Sequence, residues 1–129
     1  MRMHASSGSP LEPEIGFSRA VRVGDLVCVS GTAPIGPDGA TAGPGDVEAQ
    51  ARRCFAIAFE ALAEVGAGPE DVVRTRIMLT DIGRWREAAA VHGELFAQTR
   101  PACTFVEVSA FIDPDWLIEV EVDAVARSA

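Results

Sequence analysis

The sequence contains no lysine and no tyrosine. Its eleven basic residues are all arginines, so covalent chemistry through a lysine amine is excluded and no phenol can donate a proton. Cysteine is scarce. Cys28, Cys54 and Cys103 are odd in number and widely spaced, and CxxC, HExxH and paired-histidine spacings are missing. Neither a disulfide framework nor a metal site has support, so reduced thiols in the cytoplasm are expected, with no metal and no cofactor. Phosphate cradles of the GxGxxG or Walker type are absent too. No apolar run reaches the roughly 18 residues of a membrane span. Met1 to Pro13 lacks the apolar stretch of a secretion signal and reads as a flexible lead-in to a single domain over 14–129. The net charge of −8 argues against nucleic acid as a partner, because phosphate backbones need clustered cations.

What is present is pattern. Hydrophobic residues make up 48% of 129, enough for a packed interior. Phe17 to Val23 and Leu26 to Val29 flank Gly24-Asp25, a hairpin signal. Residues 34–45 hold three prolines and four glycines and read as a loop with room for a small extra strand. Asp46 suits an N-cap. Behind it Val47, Ala51, Cys54, Phe55, Ala58, Leu62 and Val65 recur at helical spacing, and Gly66, Gly68 and Pro69 stop the run. Asp71 to Thr80 alternates, with Val73, Ile77 and Leu79 on one side and Arg74 and Arg76 on the other. Asp81 is expected to cap a second helix to about Gln98, striped by Trp85, Ala89, His92 and Phe96 and ended by Arg100-Pro101. Ala102 to Val108 and Leu117 to Ala126 are strands. The last presents Ile118, Val120, Val122 and Ala124 to one face and Glu119, Glu121 and Asp123 to the other.

The order ββαβαββ describes an α+β domain with two helices on one face of a sheet, since their apolar stripes need a partner. The second face, expected to carry Cys103, Phe105 and the last strand's carboxylates, is left for a second copy to cover. Cys28 and Cys54 read as core packing, and Trp85 and Trp116 as packing residues.

From Ile15 to Arg127 the chain resembles the YjgF/UK114/RidA (reactive intermediate deaminase) family. The resemblance is carried by Gly24-Asp25 with Val29-Ser30-Gly31, Ala49-Gln50-Ala51-Arg52, Asp71 to Thr75, Arg100-Pro101-Ala102 with Val106-Glu107-Val108, and Glu119 to Ala124. It implies a chorismate-mutase-like fold and a homotrimer whose strands line a central barrel, with small-molecule clefts between subunits. It implies hydrolysis of enamine or imine intermediates, such as 2-aminoacrylate, to keto acids and ammonia, without cofactor. In the family an arginine after Pro-Ala holds the substrate carboxylate, a task suited to a bidentate guanidinium. Here that position is Cys103, which places the chain in a subgroup lacking the arginine, with a substrate other than simple 2-imino acids.

The resemblance assigns Glu121 as the last-strand catalytic glutamate. It assigns Ser30, Gly31, Phe17 (where tyrosine is usual), His92 and Cys103 to the substrate cleft. Arg19 shares strand parity with Phe17 and is a candidate replacement anion-binding group; a surface arginine is the competing reading. For Cys103 the alternatives are an apolar filler and a reactive thiol. For His92 they are a hydrogen-bonded core histidine and a cleft residue. For Glu121 the alternative is one rung of a solvated acidic row. Two functions compete: an imine or enamine hydrolase, and a non-catalytic trimer that binds a metabolite. Endoribonuclease action is the weakest reading, given the acidic charge and the lack of a basic or aromatic stripe.

Overall fold

The computed structural model describes residues 1–127. Nine main elements follow in order: β1 (Arg2–Ala5), α1 (Leu11–Ile15), β2 (Ala20–Val23), β3 (Leu26–Thr32), α2 (Val47–Glu64), β4 (Val72–Leu79), α3 (Trp85–Phe96), β5 (Ala102–Glu107) and β6 (Ile118–Val125). The strands form one six-stranded sheet in the order β1-β2-β3-β6-β4-β5. Every neighbouring pair is antiparallel except β4 and β5. Those two run parallel because α3 connects them, and a parallel pair needs such a crossover.

The expected α+β, chorismate-mutase-like architecture is present, with α2 and α3 on one face of a mixed sheet. Val27, Val29, Ile77, Leu79, Ile118, Val120 and Val122 point from the sheet into the core. Phe55, Ala58, Leu62, Val91 and Phe96 meet them from the helices. Asp46 caps α2 by accepting a hydrogen bond from the Ala49 backbone N–H at 3.0 Å. Small residues along α2, Ala51, Cys54, Ala58 and Ala61, let it lie close to the sheet. The Cys54 thiol is fully buried against this contact, and burial pushes it far above the usual thiol range.

Several expectations are corrected. The N-terminal lead-in is structured at its start: Arg2–Ala5 pairs with Ala20–Val23, and His4 Nδ1 hydrogen-bonds Ser18 Oγ at 2.8 Å. Composition gave no hint of this, because a short polar edge strand owes its order to the strand it pairs with. Val73 faces solvent at 48% exposure. A register shift between Val72 and Arg74 lets Val72 take the inward place, after which Thr75, Ile77 and Leu79 resume the buried set. Asp81 caps a 3-10 turn over Ile82–Arg84 through the Gly83 N–H, and α3 begins only at Trp85 and ends at Phe96. Its buried stripe is Ala88, Val91 and Phe96.

Two cysteines also change face. Cys28 lies between the inward Val27 and Val29 and is exposed beside its strand partner Asp123; burial and that carboxylate together raise its pKa. Cys103 and Phe105 stand beside Thr75 and Ile77 in the parallel β4–β5 register, so they share the helix-covered side. Phe105 accordingly packs edge-on against Trp85 of α3, ring centroids 5.9 Å apart. The bare face instead carries Glu119, Glu121 and Asp123 of β6. Glu121 pairs with Arg76 there, and Asp123 lies 3.9 Å from Arg74.

Candidate active site

A cleft of about 510 Å³ opens where β3 ends. Its walls come from Ser6–Leu11, the loop after β3, the α2 residues Arg53, Ile57 and Glu60, and the approach to β6 at Ile112 and Trp116. Phe17, Arg19, Gly31 and Glu119 also line it.

Local structure brings these groups together. Helix α1 ends at Gly16, whose φ of +89° is the left-handed conformation glycine adopts at no steric cost. The turn places Phe17, whose N–H reaches the Glu12 carbonyl at 2.9 Å. The β3–β6 ladder pairs Val29 with Val122 and Thr32 with Val120, leaving Ser30 and Gly31 in an irregularity between them. Ser30 Oγ donates to the Ser18 carbonyl at 2.6 Å and thereby fixes the strand entry that carries Phe17 and Arg19. Glu119 lies against Gly31: a Cβ there would stand 2.9 Å from Glu119 Oε1, so a side chain at this position would displace the carboxylate end. The glycine lets the carboxylate lie against the β3 backbone. Gln50, buried on α2, donates to the Asp115 carbonyl at 3.1 Å and accepts from the Leu117 N–H at 2.8 Å, so the wall bearing Trp116 is tied to the helix.

Arg19 is 7% exposed. Its Nη1 donates to the Gly31 carbonyl at 2.5 Å and to Thr32 Oγ1 at 3.1 Å, while its buried Nε has no partner among the described residues. The guanidinium lies 5.3 Å from the centroid of the Phe17 ring. Burial lowers its pKa, opposed by the charges of Glu12 and Glu119. Glu12, itself 6% exposed, accepts from the Ser7 N–H at 3.0 Å and Ser7 Oγ at 2.7 Å. Burial works to raise the Glu12 pKa, but the bonds from Ser7, the nearby Ser6 hydroxyl and the charge of Arg19 lower it from the ordinary 4.5.

Glu119 is the opposite case. Burial raises its pKa above the ordinary 4.5, Arg19 pulls it down, and the neighbouring Glu121 charge pushes it up again. A half-buried carboxyl with a raised pKa, beside a cation and facing a cleft, is suited to exchange a proton with a bound molecule.

The sequence-derived candidates therefore divide. Phe17, Arg19 and Gly31 line the cleft, and Ser30 supports it from beside. Glu121 does not line it and pairs with Arg76. His92 and Cys103 sit across the sheet, where His92 Nε2 shares a 2.8 Å hydrogen bond with Thr75 Oγ1 and Cys103 stands next to Thr75. Strands β6 and β4 intervene between β3 and β5, a separation of about 14 Å at normal strand spacing. Glu119 and Glu12 were not singled out by the sequence. Glu119 is indistinguishable by alternation from Glu121 and Asp123, and Glu12 lies in a segment without periodic signal.

His92 packs between Phe55 and Phe96, ring centroids at 5.9 and 4.6 Å, and burial lowers its pKa from 6.5. The unfolded chain then binds the proton more readily than the folded one. The stability this neutral imidazole contributes is present above about pH 6.5 and is lost as pH falls toward the depressed value. The urea midpoint is expected to drop between pH 7 and pH 5, and to drop less in His92→Phe.

Residues 8–126 match the family model described as Endoribonuclease L-PSP. The chain belongs to this family. Family relatives include SCO2049 of Streptomyces coelicolor, 43% identical over 118 residues, covering 92% of this chain and 87% of that protein. A RutC family protein of Pyrococcus abyssi is 34% identical over 105 residues, covering 81% of this chain and 82% of its own length. Among solved structures, Rv2704 of Mycobacterium tuberculosis, a member of the YjgF/YER057c/UK114 family, superimposes with a TM-score of 0.88 at 45% identity, covering 98% of this chain and 100% of the other. The RidA resemblance, read above from short motifs, is thus a family relationship over nearly the whole chain, and the sheet with two helices on one face is the fold of the YjgF family.

Proposed function

We propose that this protein is a cofactor-independent imine or enamine hydrolase, working in the cytoplasm as a homotrimer whose clefts are completed by neighbouring subunits. The observation that carries the reading is Glu119: a half-buried carboxyl in a cleft, against Gly31 and near Arg19, with burial raising its pKa. Water attacks the carbon of a protonated C=N bond while the Glu119 carboxylate takes one of its protons. The C=N π electrons move to nitrogen and a carbinolamine forms. Glu119 then returns the proton to nitrogen, the C–N bond breaks, the hydroxyl oxygen releases its proton and becomes the carbonyl, and ammonia leaves. An enamine enters the same route as its imine tautomer. Backbone around the β3 irregularity at Ser30 and Gly31 supplies polar groups beside the reacting atoms.

The homotrimer is favoured by the uncovered sheet face and by β5, an edge strand exposed along most of its length. It would also bring a neighbour's Cys103, exposed on β5, toward this cleft, the one arrangement in which it acts as a ligand contact, whereas His92 stays within its own subunit's packing. Ribonuclease action has less support, because a chain of net charge −8 repels a phosphate backbone.

The test is ammonia release above the spontaneous rate from imines generated in situ by an amine oxidase or an amino-acid oxidase, with sedimentation to establish the assembly. Turnover by a trimer is expected. A well-behaved monomer, or no acceleration with any imine, overturns this reading. A small molecule that raises the melting temperature and is recovered unchanged would instead favour a metabolite-binding trimer.

A further inference from the structure

The guanidinium of Arg19 marks a second contact point in the cleft, an inference that rests on the hydrolase reading for the reacting bond but on geometry for the contact. We propose that Arg19 Nη2 is the donor that receives an oxygen of the substrate, so that the cleft takes imines or enamines carrying a carbonyl or carboxylate group beside the reacting C–N bond.

The first observation is that Arg19 is held but not satisfied. The competing expectation, a surface arginine, does not survive its burial. Its Nη1 is taken up by the Gly31 carbonyl and Thr32 Oγ1, and its Nε is buried without a partner. Nη2 makes no hydrogen bond among the described residues, and it is the nitrogen left to face the cleft that Arg19 lines. Neither Glu12 nor Glu119 bonds to the guanidinium, although both lie near enough for their charges to act on it. A buried polar group normally has its partners, so a donor left open in a cleft stands ready for an acceptor from outside.

The second observation is that this donor is fixed before any ligand arrives. The Arg19 backbone N–H donates to the Ala5 carbonyl and its carbonyl accepts from the Ser30 N–H, both at 2.9 Å. The Phe17 ring lies against the guanidinium, and the two acceptors on Nη1 hold it against rotation in its own plane. A side chain held in this way loses little further freedom when a ligand binds, so its hydrogen bond is not offset by a cost of ordering. One nitrogen is presented, so the contact is made at a single point and differs from the two-pronged fork by which arginine often holds a carboxylate. A lone carbonyl oxygen and one oxygen of a carboxylate both suit such a donor.

The third observation is where the donor stands. Arg19 holds the carbonyl of Gly31, and Glu119 lies against that same residue, so the free donor and the carboxyl are gathered around one point of β3. An oxygen held at Nη2 brings the adjoining C–N group toward Glu119 and leaves the remainder of the molecule to the apolar surface of Phe17, Ile57 and Trp116. An enamine conjugated to a carbonyl group meets this demand, because its oxygen and nitrogen share one planar frame. The contact is built within one subunit, from β3 and the strand entry before β2. It is a different place from the position after Pro-Ala, Cys103, which stands on β5 beyond β6 and β4.

Benzoate, benzamide and toluene provide the test, because they share a ring and differ in the oxygen they carry. Titration of the wild-type, full-length protein, followed by NMR of labelled arginine side chains, is expected to move the Arg19 signals with benzoate or benzamide. The signals of Arg53, the other guanidinium lining the cleft, should stay in place. At least one of the two oxygen-bearing probes should bind about tenfold more tightly than toluene, and Arg19→Met, which lacks the donor, should lose that margin. Should that variant fail to fold, the wild-type signals decide by themselves. Tighter binding of benzoate assigns the carboxylate class, and equal or tighter binding of benzamide the neutral carbonyl class. Toluene binding as tightly as both, movement of Arg53 without Arg19, an unchanged margin in a folded Arg19→Met, or no binding of any probe overturns the inference. None of these readouts needs turnover, so failure here is distinct from failure of the hydrolase reading, which is scored by ammonia release alone.

Discussion

Replacing Glu119 by glutamine removes imine hydrolysis and at the same time raises the melting temperature at pH 7.5. The two effects have one cause. A carboxyl whose folded-state pKa stands above its unfolded value binds its proton more tightly in the folded chain. The stability it contributes is complete at low pH and is lost as pH rises through the folded value. At pH 7.5 the ionised carboxylate is therefore a net cost, because burial and the charge of Glu121 outweigh the attraction of Arg19. Glutamine keeps the shape and carries no charge, so that cost disappears. The gain should be measurable by thermal melting at pH 7.5 and absent at pH 4. Loss of the proton-transfer group should lower kcat/KM by about 10²- to 10⁴-fold. The wild-type rate should fall on acidification through a pKa above 4.5, and the residual rate of the variant should lose that dependence. Glu121→Gln is the control: it breaks the pair with Arg76 on the bare face and should leave a larger share of the rate. Full activity in Glu119→Gln, with loss in Glu121→Gln, would reverse the assignment made from the cleft.

The second large effect is a gain. Cys103→Arg should confer turnover of 2-imino acids, improving their kcat/KM by about tenfold to a hundredfold, in line with about 1.5–3 kcal/mol for a charge-assisted hydrogen bond. Within one subunit the introduced guanidinium stands on β5, beyond β6 and β4 from Gly31. The gain therefore requires a neighbour's β5 to border the cleft. Mixed oligomers make the requirement explicit. Subunits carrying Cys103→Arg together with Glu119→Gln should be inactive alone and should regain acid turnover when assembled with wild-type subunits. Absence of activity in every mixture would show that the arginine and the glutamate never share a cleft. Exposed Cys103 is the natural place for such a change, since its substitution removes no core contact.

Much of the fold was legible because its signals are local. The Asp46 cap, the helical spacing from Val47 to Leu62 and the alternation of β6 each depend on a few adjacent residues, and each stands in the structure. The misreadings arose where a partner strand or a backbone irregularity intervened. Val73 turned outward because β4 shifts register against β6, a feature that no periodicity within Asp71 to Thr80 announces. Cys103 and Phe105 were assigned to the wrong face because alternation gives the parity of a strand but not its phase. Only the parallel pairing with Thr75 and Ile77 sets that phase. The N-terminal strand was missed because Arg2–Ala5 has no pattern of its own and is ordered by β2.

The site divides along the same line. Sequence alone settled the chemical inventory: no lysine amine, no phenol, no metal-binding spacing, and a row of three carboxylates at alternate positions on the last strand. A period of two makes Glu119, Glu121 and Asp123 equivalent, and nothing in that row can choose among them. The tertiary structure chose. Gly31, in the irregularity of β3, leaves room for the Glu119 carboxylate, while Arg76 and Arg74 on β4 face the other two. Folding likewise decided that Arg19 is buried and that its Nη1 is held by the Gly31 carbonyl and Thr32 Oγ1, which strand parity could not show. Composition and spacing are properties of the chain, whereas desolvation and charge pairing depend on which strands become neighbours.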